Sequence, residues 1–257
     1  MDLHGKGVVV TGAGRGIGRA LAARMAADGA RVVVNDLDPA ATRAVAEEIG
    51  ATAVPGDAAS VDGVSALVEA AREELGAVDV WFGNAGIDRG QGLDAAEEDW
   101  AAAHEVNVMA HVRTARLLVP DWVERGEGRY VVTASAAGLL TMLGAPAYSV
   151  TKHGAVAFAE WLSATYRHHG VVVQAICPQG VRTQMLSNAG PLQEVLSRDT
   201  ALDPEDVATA ARQALDGEEF LVLPHPEVAD YYAGRAAATD RWLGGMNRLW
   251  QRLEDQL

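Results

Sequence analysis

Short runs of β-branched residues alternate along the chain with longer, alanine-rich segments in which apolar positions recur at helical spacing. The pattern predicts strands at Gly7–Thr11, Arg31–Asn35, Ala53–Val54, Val78–Phe82, Arg129–Thr133, Val171–Cys177 and Phe220–Leu223. Between them it predicts helices over Ile17–Asp28, 40–49, 62–75, 96–125, 148–169 and 204–216. The strands are apolar at nearly every position, as strands covered on both faces must be. The expected architecture is therefore α/β: a Rossmann-type doubly wound parallel β-sheet with helices on both faces. No Pro/Gly/Ser-rich linker, charge block or repeat divides the chain, which predicts a single domain over residues 1–257.

Two segments fall outside the alternation. Residues near 184–203 interrupt it just after a strand end, where open α/β sheets bind ligands, and are expected to form a substrate loop. The tail near 228–257 reads as helical, with Trp242, Met246, Leu249, Trp250, Leu253 and Leu257 near helical spacing and Gly244-Gly245 interrupting. Such a stripe docks on the chain's own core, covers a neighbouring subunit or walls a substrate pocket.

Composition narrows the function classes. A net charge of −14 argues against a nucleic-acid surface. The lone cysteine, Cys177, excludes an intramolecular disulfide and fits a cytoplasmic setting. Residues 130–151 carry no charge over a length that could cross a bilayer, yet their Ser, Thr, Gly and Pro content suits a buried strand and loop, so no membrane span is expected. The histidines show no metal-ligand spacing, and no metal site is expected.

After the first strand come Gly12, Gly14, Gly16 and Gly18, with Arg15 and Ile17 between the last three. The spacing G-x-x-x-G-x-G departs from G-x-G-x-x-G, but the physics is shared: a tight glycine turn lets backbone N–H groups and a helix N-terminus approach a pyrophosphate. The second strand runs into Asp36, 18 residues past Gly18, near the distance at which an acid meets the adenosine ribose. A carboxylate there repels a 2′-phosphate, so NAD is expected ahead of NADP. Arg15 is the counter-signal, since a guanidinium could pair with that phosphate.

Tyr148 and Lys152 are four residues apart and share a face of the predicted helix. An ammonium near a phenol stabilises the phenolate, which draws a proton donor with pKa about 10 toward working pH. Chance placement would give this spacing with probability of only about 0.04, because the chain holds few tyrosines and two lysines.

Taken together, the glycine turn, Asp57, Asn84-Ala85-Gly86, Asn107, Ser135, Tyr148-x-x-x-Lys152 and Pro178 to Thr183 resemble, in order, the short-chain dehydrogenases/reductases in their compact form. The resemblance implies that Tyr148 is the general acid/base and that Lys152 lowers its pKa and holds the nicotinamide ribose. It implies further that Ser135 holds the substrate oxygen and that Asn107 sustains a water relay to Lys152. For the cofactor, it implies that Asp57 and Ala58 contact adenine. Asn84, Ala85 and Gly86 would pack under the adenosine ribose, and Val181 and Thr183 would engage carboxamide and phosphate. Gly83 stands where the family carries an Asn, and Gln179 where it carries a glycine; the second is expected to alter the substrate pocket. Ala137, Leu139, Leu140, Met142, Gln179, Met185 and Leu186 are expected pocket walls.

The expected function is hydride transfer between NAD(H) and a secondary alcohol or ketone, in a homo-tetramer or homo-dimer as the family implies. Two alternatives are an NADPH-dependent reductase of carrier-bound 3-oxoacyl groups, docking through Arg113, Arg116, Arg125 and Arg129, and a non-catalytic nucleotide-binding regulatory protein.

Overall fold

The computed structural model describes residues 1–188 and 200–254. Seven parallel strands form one sheet: β1 (Gly7–Thr11), β2 (Arg31–Asn35), β3 (Thr52–Ala53), β4 (Val80–Gly83), β5 (Gly128–Thr133), β6 (Val171–Ile176) and β7 (Leu221–Val222), in the order β3-β2-β1-β4-β5-β6-β7. This is the Rossmann-type doubly wound fold expected from the sequence. The order reverses between β1 and β4, which pair in parallel from Val8 and Val80 onward. Their crossovers leave in opposite directions and open a crevice beyond Thr11 and Gly83, where such sheets place ligands.

The strand period explains the two cores. In β1, Val9 points into one layer with Val64 and Leu67 of α3 (Val61–Leu75), Leu118 and Trp122 of α5 (Ala110–Arg125), and Ala155 and Leu162 of α6 (Pro146–Tyr166). Val8 and Val10 point the other way, onto Leu21 and Met25 of α1 (Gly16–Ala27), Val45 of α2 (Pro39–Ile49), and Val207 and Leu215 at the helix Pro204–Ala214. Both faces of every central strand are thereby dry, so neither could tolerate the alternating polar residues of a one-sided sheet.

Boundaries shift by a residue or two from the sequence reading, as helix and strand ends do. One difference is larger. The helix expected over 96–125 is α4 (Glu97–His104), a π-helical turn at Glu105–Met109, and then α5. A π-turn holds one more residue than an α-turn, and this one brings Asn107 fully into the interior. Beyond β6 come α7 (Gln184–Ser187), α8 (Pro204–Ala214), α9 (Glu227–Ala237) and α10 (Thr239–Glu254). The core of the expected substrate loop, 189–199, lies outside the described residues. Among the described residues no helix is long and apolar enough to cross a membrane.

Candidate active site

A cleft of about 2250 Å³ runs along the C-terminal strand ends. Single small-molecule pockets fall in the range of about 300–1,000 Å³, so this one has room for a dinucleotide beside a second molecule. One end is the glycine turn. Gly12 and Gly16 have φ of +63° and +54°, conformations that side chains rarely adopt. A Cβ on Gly14 would sit 2.9 Å from Asp36 Oδ2 and 3.1 Å from Ala41 Cβ, and one on Gly18 would strike the Gly12 carbonyl. The glycines therefore form a cradle that side chains would fill. The N-terminus of α1 opens into it with no side-chain cap, leaving first-turn N–H groups for an anion. These features fit a nicotinamide dinucleotide.

Asp36 follows β2 with its carboxylate facing the glycine turn: Oδ2 accepts from Gly14 N at 3.0 Å and Oδ1 from Asp38 N at 3.1 Å. Arg15 is directed elsewhere, donating to Gln184 Oε1 at 2.5 Å. Asp57 lines the same end and accepts from Ala59 N and Ser60 N in the turn before α3, which Ser60 caps. Partial burial opposes its charge, but the bonds from Ser60 and Ala59 hold its carboxyl below the usual range. Asn84 knits β1 to β4, donating to Thr11 O (3.0 Å) and Gly12 O (3.2 Å), while Ala85 N donates to Thr11 Oγ1. Thr183 closes the cradle opposite Gly16. Ala58, Ala85, Gly86, Ile17 and Val181 line the cleft as well.

The other end gathers the four expected catalytic residues from three elements. Ser135 follows β5, Tyr148 and Lys152 lie one turn apart on α6, and Asn107 comes from the π-turn. Lys152 is almost fully buried, with Nζ 5.6 Å from the centre of the Tyr148 ring and donating to Thr133 O at 2.8 Å. A Cβ on Gly86 would meet this Nζ at 3.2 Å, so glycine there makes the lysine's space. Burial pushes the Tyr148 phenol up to about 12, against a hydrogen bond with Ser135 that pulls it down. Burial likewise pushes Lys152 down to about 8. The net shift of the phenol is thus upward and set by its desolvation, and the lysine ammonium is bonded to the Thr133 carbonyl.

Asn107 is held through its side chain. Its Oδ1 accepts from Ile87 N (2.9 Å), and its Nδ2 donates to Ile87 O (2.9 Å) and Thr151 Oγ1 (3.0 Å). The side chain thereby clamps the loop after β4.

Gly83 finds its explanation in a neighbour. A Cβ there would sit 2.6 Å from His111 Nδ1, which lies 3.3 Å from the Tyr130 hydroxyl. Burial pushes His111 down to about 3, so it is neutral and structural. Gln179 stands on the cleft wall with Oε1 buried and without a hydrogen-bond partner. Of the expected wall residues, Leu139 is a correction: it is buried in the core with Val156 and Leu162, while Ala137, Leu140, Met142, Met185 and Leu186 do face the cleft. Burial pushes the Cys177 thiol up to about 12, which leaves it unreactive.

Sequence reasoning missed two participants. Asp88, just past the Asn-Ala-Gly triplet, faces the cleft. Arg235 of α9 donates to Leu139 O, meets His153 Nε2 at 3.0 Å and stacks over Trp242. Asp88 had a local signal, its place beside a recognisable triplet; Arg235 depends on tertiary packing. Of the places open to the tail stripe, the pocket wall is the one that Trp242, Met246 and Leu249 of α10 take.

The family model for short chain dehydrogenases matches residues 6–193. The 1-deoxy-11-beta-hydroxypentalenate dehydrogenase of Streptomyces exfoliatus is 36% identical over 236 residues, covering 88% of this chain and 86% of that protein. A short chain dehydrogenase/reductase from Burkholderia phymatum, solved in complex with NAD, superposes with a TM-score of 0.86 at 30% identity, covering 93% of this chain and 96% of its own. A 3-ketoacyl-(acyl-carrier-protein) reductase from Brucella melitensis, complexed with NADH, gives 0.80 at 30% identity, with 86% and 96% covered. A match that takes in the glycine turn, the Asn107 clamp and the Tyr148–Lys152 pair within one sheet topology makes this chain a member of the short-chain dehydrogenase family.

Proposed function

We propose that the protein interconverts a secondary alcohol and its ketone with NAD(H), with Tyr148 as the general acid/base. The observation that carries this reading is the convergence of Ser135, Tyr148 and Lys152 on one end of a cleft whose other end is a glycine cradle. When bound, the nicotinamide supplies the hydride acceptor or donor. Gly12, Arg15, Gly16, Ile17 and Gly18 would hold the pyrophosphate, Asp57 with Ala58 the adenine, and Val181 with Thr183 the nicotinamide end. Asp36 supports NAD over NADP: a carboxylate at the end of β2 accepts ribose hydroxyls and repels a phosphate, and Arg15 is turned toward Gln184.

In this reading Ser135 donates to the substrate oxygen and orients it toward Tyr148, which gives or takes its proton. Lys152 supplies positive charge below about pH 8, favouring the phenolate when Tyr148 loses its proton. Asn107 fixes the wall opposite. Described residues of the 184–203 segment and of the 228–257 tail line the cleft, which supports roles as substrate loop and pocket wall in a single-domain chain. The lone buried thiol, Cys177, supports a cytoplasmic setting. Exposed Val150 and Trp161 on the outer face of α6 support association into a homo-dimer or homo-tetramer.

The carrier-bound alternative fares less well on its docking patch. Arg113 is paired with Glu105 (2.5 Å), Arg125 with Asp79 and Glu127, and Arg129 donates to Gly217 O, so three of the four cations serve the chain itself. Replacing Tyr148 with Phe tests the main reading. It should abolish turnover of a panel of secondary alcohols, by about 10²-fold or more, while leaving NADH-induced quenching of tryptophan fluorescence. Unchanged turnover would remove Tyr148 from the mechanism.

A further inference from the structure

The segment after β4 is bracketed at both ends. Asn107 grips both peptide groups of Ile87, and further on Gly92 N donates to Gly144 O at 2.8 Å. Between these ties Gly90, at φ +80°, packs close to Ala147 on α6. Asp88 therefore leaves the clamp in a fixed place, on the cleft wall within electrostatic reach of Tyr148.

The carboxylate is under-supplied there. Only Oδ1 has a donor, Gln91 Nε2 at 3.1 Å, and no cation pairs with Asp88 among the described residues. Burial holds its carboxyl above the usual range, and its charge in turn raises the Tyr148 phenol. A half-buried carboxylate with open lone pairs, facing the space where substrate must sit, is a hydrogen-bond acceptor awaiting a donor.

The neighbouring charges select which donor. A substrate anion at this point would be repelled by Asp88. A substrate ammonium would share the pocket with the buried ammonium of Lys152. A neutral hydroxyl meets neither penalty.

Building on the dehydrogenase reading, we propose that Asp88 is a substrate-recognition residue that accepts a hydrogen bond from a second hydroxyl. The preferred substrates are then diols or hydroxyketones, one oxygen held by Ser135 and Tyr148 and the other by Asp88.

The test compares cyclohexanol with the cis and trans cyclohexane-1,2- and 1,4-diols, following NADH formation and, by calorimetry, binding of each alcohol to the NADH-loaded protein. The best diol should exceed cyclohexanol in kcat/KM by about tenfold or more, mainly through KM, because a half-buried acceptor that bound substrate covers and leaves unpaired penalises the analogue that lacks the hydroxyl. In Asp88→Ala the ratio should fall toward one, whereas Asp88→Asn, which keeps an acceptor oxygen in place, should retain part of it. Equal use of diol and mono-alcohol, or a ratio unmoved by Asp88→Ala, overturns the role of Asp88 and leaves the dehydrogenase reading standing. Diols that neither bind nor react overturn the role of Asp88 too. A Tyr148→Phe protein that still binds the diol by calorimetry but does not oxidise it keeps the two readings apart.

Discussion

Replacing Asn107 with Ala should cost this protein a large part of its stability as well as its activity. The side chain is fully buried and makes three hydrogen bonds of 2.9–3.0 Å, two of them to the peptide groups of Ile87. Truncation strands that N–H and that carbonyl, each at about 1–3 kcal/mol, and leaves an amide-sized void. Thr151 is less affected, because its own hydroxyl proton is already committed to Tyr148 O at 3.1 Å. The sum is about 3–5 kcal/mol, against a typical total of about 5–15 kcal/mol. In urea unfolding followed by tryptophan fluorescence, the midpoint should drop by about 1 M or more at unchanged slope. Asn107→Asp sharpens the argument. One carboxylate oxygen still accepts from Ile87 N, but the other faces Ile87 O and a hydroxyl with no proton to offer, so this variant should lose at least as much at pH 7. Protonation restores one donor, so the gap between Asn107→Asp and wild type should narrow as the pH falls. A loss under about 1 kcal/mol for Asn107→Ala, or an Asp variant as stable as wild type at neutral pH, would refute the clamp.

Lys152→Met should abolish turnover yet stabilise the fold at pH 7. Burial lowers the lysine from 10.5 to about 8, so between those values the unfolded chain holds a proton that the folded one has released, and wild-type stability rises with pH through that window. Below pH 8 the full penalty applies, about 3 kcal/mol, offset by about 1 for the bond to Thr133 O that the variant loses. The variant's advantage should therefore fade toward pH 10, and a variant less stable than wild type at pH 7 would show that burial is not what shifts Lys152. Asp36→Ala should weaken NADH binding by about tenfold or more and bring NADPH closer to it, measured by fluorescence quenching; an unmoved ratio would take cofactor choice away from Asp36.

The parts of the site that were legible in the sequence are those whose chemistry is local. Gly12 to Gly18 announce a turn because a turn needs glycine, and Tyr148 and Lys152 announce a shared helical face because four residues make about one turn. The valine runs of β1, β2 and β6 disclosed a two-faced sheet in the same way. What stayed hidden depends on distant partners. Gly83 looked like a plain departure from the family until His111 and Tyr130, from α5 and β5, were seen to fill its space. Leu139 sat at a wall position in the sequence, but the short 3₁₀ turn at Ala136–Gly138 rolls it into the core. Spacing reports the charge beside Tyr148 and is silent on how dry both groups become.

The π-turn at Glu105–Met109 carries a consequence for how such a chain can change over generations. In helical terms it is a one-residue insertion, and removing any residue of the turn would close it into ordinary α-helix. A π-turn spends one more residue on about the same rotation, so α4 and α5 would keep the faces that bury Ala103 and the row from His111 to Trp122. The cost would fall inside the turn, where Asn107 would lose its aim at Ile87. The stacking of the two helices does not require the extra residue, whereas the position of Asn107 does, so the length of this segment is held by one side chain.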